Sequence, residues 1–492
     1  MRLKSNTGGW RYGLVAVLCL FSTAWSGERS KNLIVMIADG TGSQQYTFAR
    51  WWKGEPMHIE KHAVGSLRTF IADSVVAYFA HAHNRNLEDD ITEMGVYSNI
   101  DVMLGGGGRH LLPGELRGKR EDGENLEEVL QARGYVLARS AAEMHAVKTG
   151  RIWGAFASSH MEPDLDRKET APDQPTLAEM TAKAIELLSD NENGFFLMVE
   201  GSQVDWANHA NDPAYAIGEL MAWDEACAVA VDFARENGDT LVVMLSDHDT
   251  GGFSIGNYRT DKSYSQMKLP ELLEPIRKVA MSTTRMASML GKSPTLREVQ
   301  DIVRKGWGVE LAETDARRIL ELAAYYGEDR NWAFGEVLSA AHTSVGWSTH
   351  GHVGGDVPIG AFGPGKPEGV LDEPGFGAFC AGFLGLDMDR LTERLFVDAS
   401  QAFAGGKVEI RPRSISAGSG SKTVDCSLIV ECGGKKAEFH ANKNVAVIDD
   451  ESVEMEGVAY YNQGNGLFYV PADAVRLVTG SEQPLPVIRK RP

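Results

Sequence analysis

The feature that most constrains the fold is residues 31–39, which read KNLIVMIAD and place an apolar, partly β-branched run directly before an acidic residue. Such a run is typical of a strand that is buried on both faces of a parallel sheet, and Asp39 then stands at its carboxyl end. Two later apolar runs have the same form and end at Glu200 and at the pair Asp247 and His248. The pattern predicts a sheet edge that carries several metal-binding side chains.

Helical patterns separate these runs, for example over residues 176–188 and 214–235, and further short apolar runs occur at 102–104 and 358–362. Strands that alternate with helices predict an α/β fold, with a mostly parallel central sheet and helices on both of its faces. Ligands of such folds gather at the carboxyl ends of the strands, where the acidic residues stand.

The segment VEGSQVDWANHAND contains Asp205 and His209, which are four residues apart. On a helix these side chains share a face and can hold one cation together. Glu200 precedes them at a strand end and can serve a second, harder cation. The alternative for this segment is a helix cap followed by a surface histidine.

Two further segments supply imidazole and carboxylate groups. LVVMLSDHDTGG places Asp247 and His248 after a strand, where both could bind a metal or else form a turn. Asp249 could orient a ligand or be solvated. WSTHGHVGG contains His350 and His352, which point the same way on an extended chain, so either could bind a metal, or His350 could line the cleft.

Taken in order, the segments DG, EG-x3-D-x3-H, DH-x-TGG and H-x-G-x-DVP resemble those of the alkaline phosphatase family over about residues 32–386. The resemblance implies an alkaline phosphatase-like fold and phosphoryl transfer with two Zn²⁺ ions and one Mg²⁺ ion. It implies three ligand sets: Asp39, Asp247 and His248 on one zinc, Asp205, His209 and His352 on the other, and Glu200 with a bridging Asp39 on magnesium. Imidazole and carboxylate suit zinc, and oxygen ligands suit magnesium.

The segment AYFAHAHNR resembles the family helix that supplies a phosphate-binding arginine, which maps to Arg85. The alternative is a solvated arginine at a helix end. The family's serine nucleophile has only one candidate here, Ser74, because several dozen residues of the family pattern are missing before Arg85. Ser74 could be the nucleophile, a magnesium ligand eleven residues before Arg85, or a helix cap beside Asp73.

The chain divides by composition into four regions. We predict a signal peptide at 1–26, a metallohydrolase domain at 27–395 with a helical insertion at 253–341, a linker at 396–422 and a small β domain at 423–480. The last region resembles the β domain found near the N-termini of copper amine oxidases, which implies an accessory role.

The net charge of −19 argues against nucleic acid as a partner. A signal peptide would direct the chain to the periplasm, the cell surface or the medium, and no later segment is typical of a transmembrane helix. We therefore expect a secreted phosphatase of small phosphorylated substrates, with a homodimer as an expectation from the family. The alternative is a metal- and phosphate-binding pseudoenzyme, because the usual nucleophile segment is missing.

Overall fold

The computed structural model describes residues 31–69, 80–81, 86–261, 264–416 and 422–480, and a six-stranded sheet lies at its centre. In spatial order, the strands are Gly369–Asp372, Ala63–Arg68, Val357–Phe362, Thr240–Leu245, Asn32–Ile37 and Phe196–Glu200. The two strands Asn32–Ile37 and Thr240–Leu245 are buried at every residue, which explains their unbroken apolar sequences.

The direction of pairing changes within this sheet. Asn32–Ile37 is parallel to both of its neighbours, Phe196–Glu200 and Thr240–Leu245. Val357–Phe362, by contrast, is antiparallel to both strands that it contacts. The predicted α/β architecture is confirmed, and the sheet itself is mixed.

Both faces of the sheet are covered, so successive residues of one strand enter different cores. Ile34 and Met36 pack into one core, whereas Leu33 and Val35 pack into the other. The helix Glu373–Phe383 covers the second face. Helices on or beside the first face are Ser43–Lys53, His58–Lys61, Asp164–Thr170, Leu177–Leu188, Gln203–His209 and Pro213–Asn237.

A second, smaller parallel sheet lies apart from the central one. It contains Val102–Gly105, Arg151–Ala155 and Tyr135–Ala138, in that order. The run at 102–104, one of the strands predicted from the sequence, therefore belongs to this separate sheet. The helices of this region are Glu88–Tyr97, Leu126–Ala132 and Ala141–Ala146.

The predicted insertion is helical, and short strand pairs close its base. Ser254–Ile255 pairs with Val345–Gly346, and Asp249–Thr250 pairs with His352–Val353. Because each pair joins the entering chain to the leaving chain, the insertion is tied to the strand ends that carry the predicted ligands. Its helices are Leu269–Arg277, Thr283–Ser288, Leu296–Trp307, Glu313–Tyr326 and Asn331–His342.

The C-terminal region is rich in antiparallel strands. One sheet has the order Lys407–Ser416, Lys422–Cys432, Lys435–His440, Val445–Ile448 and Glu451–Glu454, and a smaller one has Val397–Asp398, Leu467–Val470 and Tyr460–Asn462. The interval 396–422, expected to be a linker, thus contains a ten-residue strand. The helices here are Met388–Leu395, Ala399–Ala402 and Ala472–Thr479. None of the helices in the described part of the chain is long and apolar enough to span a membrane.

Candidate metal centre

Three neighbouring strands bring acidic side chains to one edge of the central sheet. Ile37 pairs with Glu200 on one side and with Leu245 on the other, so these strands end at the same level. Asp39 follows the middle strand by two residues, and Asp247 follows its neighbour by two residues. The parallel strands therefore deliver their carboxylates to one place, as predicted from the sequence.

Asp39, Asp247 and His248 form a group that we call the inner cluster. One ligand atom from each lies within 4.8 Å of the others. His248 Nε2 is 3.7 Å from Asp39 Oδ1 and 3.5 Å from Asp247 Oδ2. Two ligands of one tetrahedral zinc stand about 3.4 Å apart when each bond is about 2.1 Å long, so these separations suit a shared cation.

Asp205, His209 and His352 form a second group, the outer cluster, with the same 4.8 Å limit. His209 is the last residue of the helix Gln203–His209, and its Nε2 lies 3.1 Å from Asp205 Oδ2 one turn earlier. His352 comes from the distant strand pair at the base of the insertion, and its Nε2 lies 3.9 Å from Asp205 Oδ1. The family resemblance had assigned all six residues of the two clusters to zinc, with Asp39 also bridging to magnesium.

Thr250 connects the clusters, although no role was predicted for it from the sequence. Its buried hydroxyl donates to Asp205 Oδ1 at 2.6 Å and lies 3.1 Å from His248 Nδ1. Because the hydroxyl proton is used on Asp205, the oxygen accepts from His248 Nδ1–H, which leaves His248 Nε2 free for a cation. The signal was present in the sequence, since Thr250 is the threonine of DH-x-TGG.

The clusters are also close to each other through their histidine rings. The rings of His248 and His352 stack with centroids 3.7 Å apart, and those of His209 and His352 are 5.2 Å apart. The two candidate cation positions therefore belong to one continuous centre.

The carboxylates of this centre lack enough positive charge from the protein. Burial, and then the charges of Asp247, Asp205 and Glu200, raise the pKa of Asp39 well above its usual range. Partial desolvation and the charge of Asp247 likewise raise the pKa of Glu200. Asp39 Oδ1 is buried without a hydrogen-bond partner among the described residues. A buried carboxylate oxygen without a hydrogen-bond partner indicates a position where a cation could bind.

The outer cluster is electrostatically different. Burial opposes ionisation of Asp205, but hydrogen bonding and charge from His209 lower the pKa of Asp205 overall. The same contact raises the pKa of His209 against its own desolvation. Desolvation and the nearby His248 lower the pKa of His352, which favours the neutral form that binds metals.

Glu200 belongs to neither three-residue cluster. It is exposed, and it lines a cavity of about 480 Å³ between the central sheet and the smaller sheet. Trp206, Gln203 and Arg109 also line this cavity. Ser74 and Arg85, predicted for catalysis and phosphate binding, lie outside the described residues.

The remaining two sequence candidates lie beside the clusters. Asp249 accepts a hydrogen bond from Gln45 Nε2 at 3.0 Å, and so faces the helix Ser43–Lys53. His350 contacts the backbone of His209 rather than offering a nitrogen to either cluster. Of the two histidines in WSTHGH, only His352 is therefore grouped with other ligand candidates.

The sequence of this chain is similar to those of known alkaline phosphatases. The family model of alkaline phosphatase matches residues 66–373. Alkaline phosphatase 3 of Bacillus subtilis (strain 168) is 32% identical over 343 residues, which cover 68% of this chain and 68% of that protein. Alkaline phosphatase 4 of the same organism is 31% identical over 305 residues, covering 59% and 60%. The chain thus spans about three fifths to two thirds of the length of these relatives.

Solved structures show the same fold. The alkaline phosphatase of Thermus thermophilus has a TM-score of 0.65 and 24% identity, covering 73% of this chain and 92% of that one. A cold-active alkaline phosphatase from Shewanella sp. has a TM-score of 0.59 and 22% identity, covering 72% and 99%. The family match extends over more than half of the sequence and includes every member of the two clusters except Asp39. The chain belongs to the alkaline phosphatase family.

Proposed function

We propose that this protein is a secreted, metal-dependent phosphatase that hydrolyses phosphate monoesters at a centre of two Zn²⁺ ions and one Mg²⁺ ion. The observation that carries the proposal is the pair of three-residue clusters joined by Thr250 at the carboxyl edge of the sheet. Membership of a family of metal-dependent phosphatases supports it independently.

The donor atoms fit these cations. The outer cluster offers two imidazoles and one carboxylate, and the inner cluster offers one imidazole and two carboxylates, both of which suit zinc. Glu200, with Asp39 as a bridging group, offers the oxygen ligands that magnesium prefers. The raised pKa values of Asp39 and Glu200 reflect partial desolvation and the mutual repulsion of neighbouring carboxylates, which bound cations would compensate.

When bound, two such cations stabilise the attacking and leaving oxygens of a phosphoryl transfer. The protein's own residues hold and orient the ligands, since Thr250 sets the tautomer of His248 and Asp205 orients His209. Arg85 is assigned, from its motif, to bind two phosphate oxygens through its guanidinium fork. Ser74 keeps its alternative roles as nucleophile, magnesium ligand or helix cap.

A catalytically impaired, phosphate-binding protein is the second candidate. One observation favours it: only residues 69–87 connect the strand Ala63–Arg68 to the helix Glu88–Tyr97, and this interval holds Ser74 as its sole serine. If Ser74 is not a nucleophile, the metal centre remains but the covalent route is lost.

Hydrolysis of p-nitrophenyl phosphate by the zinc- and magnesium-loaded protein separates the two candidates. We expect activity in the wild type and its loss in Ser74→Ala and in Asp247→Asn. Acid trapping of labelled phosphate on Ser74 then distinguishes a nucleophile from a magnesium ligand. A wild-type protein that holds stoichiometric metal but shows no turnover would refute the enzymatic proposal and support the phosphate-binding one.

Three accessory proposals remain. Cleavage near residue 26 would be seen by N-terminal sequencing of the protein recovered from the medium or periplasm. A homodimer would be seen as twice the chain mass in light scattering. The C-terminal β domain is proposed to be accessory, so that it supplies no metal ligand.

A further inference from the structure

The outer-cluster ligand His209 takes part in a reciprocal contact with a residue far along the chain. His209 Nδ1 donates to the backbone carbonyl of His350, and His350 Nδ1 donates to the backbone carbonyl of His209 at 2.6 Å. A histidine whose Nδ1–H is held by a carbonyl presents Nε2 to a metal. His350 therefore fixes both the tautomer and the orientation of His209.

His350 is in turn held by the insertion. Its ring stacks on Trp332 with centroids 4.8 Å apart and planes 8° apart. Its Nε2 lies 3.4 Å from Glu336 Oε2, and the same oxygen accepts a hydrogen bond from Tyr326 at 2.6 Å. The Trp332 ring is also parallel, within 6°, to that of His209. One aromatic ring thus constrains the ligand and the residue that orients it.

Gly335 allows the helix Asn331–His342 to lie directly against the end of the helix Gln203–His209. A Cβ at Gly335 would stand 1.7 Å from the backbone oxygen of Ala210, the residue after His209. Because that distance is far below any van der Waals contact, only glycine permits the approach. Trp332 and Glu336 lie on the same helix, Asn331–His342.

From these contacts we propose that Trp332, Glu336 and His350 are positioning residues for His209, so that the helical insertion sets the cation affinity of the outer cluster. The inference rests on the proposed function, because it assumes that the outer cluster binds zinc. Neither His350 nor Glu336 belongs to either cluster; His350 contacts His209 directly, and Glu336 contacts His350. Among the described residues, the inner-cluster side chains make no hydrogen bond, ion pair or ring contact with these three residues, and the cation affinity of the inner cluster is expected to be independent of them.

The test is a Zn²⁺ titration of the full chain after removal of metal with a chelator, using a competing colorimetric chelator to resolve the two sites. Asp247→Asn, which removes an inner ligand, identifies the outer affinity. We expect Glu336→Gln and His350→Ala each to weaken the outer affinity about 10- to 100-fold and to leave the inner affinity unchanged. Trp332→Phe, which keeps an aromatic ring, should have a smaller effect.

A second measurement reports geometry directly. With Co²⁺ in place of zinc, the visible absorption of the outer site should change in His350→Ala and Glu336→Gln. The matched controls are Glu328→Gln, an exposed glutamate nearby, and Tyr325→Phe, which is 81% exposed beside Tyr326. Both should match the wild type.

Outer affinities within twofold of the wild type in His350→Ala and Glu336→Gln would overturn the inference. Equal weakening at both clusters would also overturn it, because that result indicates general loss of structure. A wild-type chain that binds no zinc would instead refute the proposed function itself, which keeps the two failures distinct.

Discussion

Replacement of Lys443 by methionine tests how the C-terminal region is attached to the rest of the molecule. Lys443 Nζ lies 2.9 Å from both carboxylate oxygens of Glu124 and 3.2 Å from Glu93 Oε1. It also stands 5.3 Å from the centre of the Tyr97 ring. The side chain of Lys443 is 24% exposed, and those of Glu93 and Glu124 are 11% and 23% exposed. The C-terminal region therefore docks through a cation held by two largely buried carboxylates.

Loss of one partner of a buried ion pair costs about 3–5 kcal/mol, and the partial exposure of Lys443 favours the lower end, about 3 kcal/mol. The cost should depend on pH, because burial raises the pKa of Glu93 to about 8 despite the opposing charge of Lys443. At pH 6 Glu93 is mostly protonated in the folded protein, so it carries little negative charge for Lys443 to neutralise. At pH 9 it is ionised, so Lys443→Met should cost more there.

Urea unfolding of the metal-loaded protein at pH 6 and pH 9 measures this difference. Lys436→Met, at an exposed lysine of the preceding strand Lys435–His440, is the control and should change the free energy of unfolding by less than about 0.5 kcal/mol. Adding Glu93→Gln to Lys443→Met should recover part of the loss at pH 9. A cost below about 1 kcal/mol at pH 9, or an equal cost at both pH values, would refute the reasoning.

Three further predictions concern single residues. Thr250→Val should weaken zinc binding about 10- to 100-fold, because it removes the hydroxyl that links Asp205 to His248, whereas Thr250→Ser should keep the wild-type affinity. Competition with a chelator measures both affinities, and an unchanged affinity in the valine variant would contradict the role of the hydroxyl. Gly40→Ala should lower the stability of the folded state by about 3 kcal/mol, because φ is +68° and the new Cβ would lie 2.5 Å from Asp205 Oδ1. Gly54→Ala, which has open space around it, should lower stability only by the backbone cost of about 1 kcal/mol, and equal shifts in Tm would argue against the clash at Gly40. Glu219→Gln should raise the free energy of unfolding more at pH 9 than at pH 5. Desolvation raises the pKa of Glu219 to about 8, so the folded wild type loses stability as pH rises from about 4.5 through 8. Urea unfolding that shows the same gain at both pH values would exclude this cause.

The sequence predicted the parts of the site that follow from chain continuity. Asp39 and Asp247 each come two residues after a strand that is buried at every position, so period and hydrophobicity alone put them at one sheet edge. The i to i+4 spacing of Asp205 and His209 needs only a helix, and the structure has one. Local sequence patterns were sufficient to predict the positions of site residues wherever those positions depend on a single strand or helix.

Contacts between distant segments were not predictable in the same way. Val357–Phe362 reads like the other buried strands, and nothing in an apolar run encodes its antiparallel direction. The run at 102–104 joined a separate sheet, because its partner Arg151–Ala155 is set by tertiary packing. The composition of 396–422 indicated a linker, yet Lys407–Ser416 gains order by pairing along its whole length with Lys422–Cys432.

The same distinction explains the dependence of the outer cluster on the insertion. His352 reaches Asp205 only because Asp249–Thr250 and His352–Val353 pair at the base of the insertion, which brings residues about one hundred positions apart into register. That pairing also places Thr250 between Asp205 and His248. A change that separates the two short strands should therefore disturb both clusters, whereas a change at Glu336 should disturb the outer one alone. The insertion consequently acts on the metal centre at two levels: its base assembles the centre, and its last helix adjusts one ligand within it.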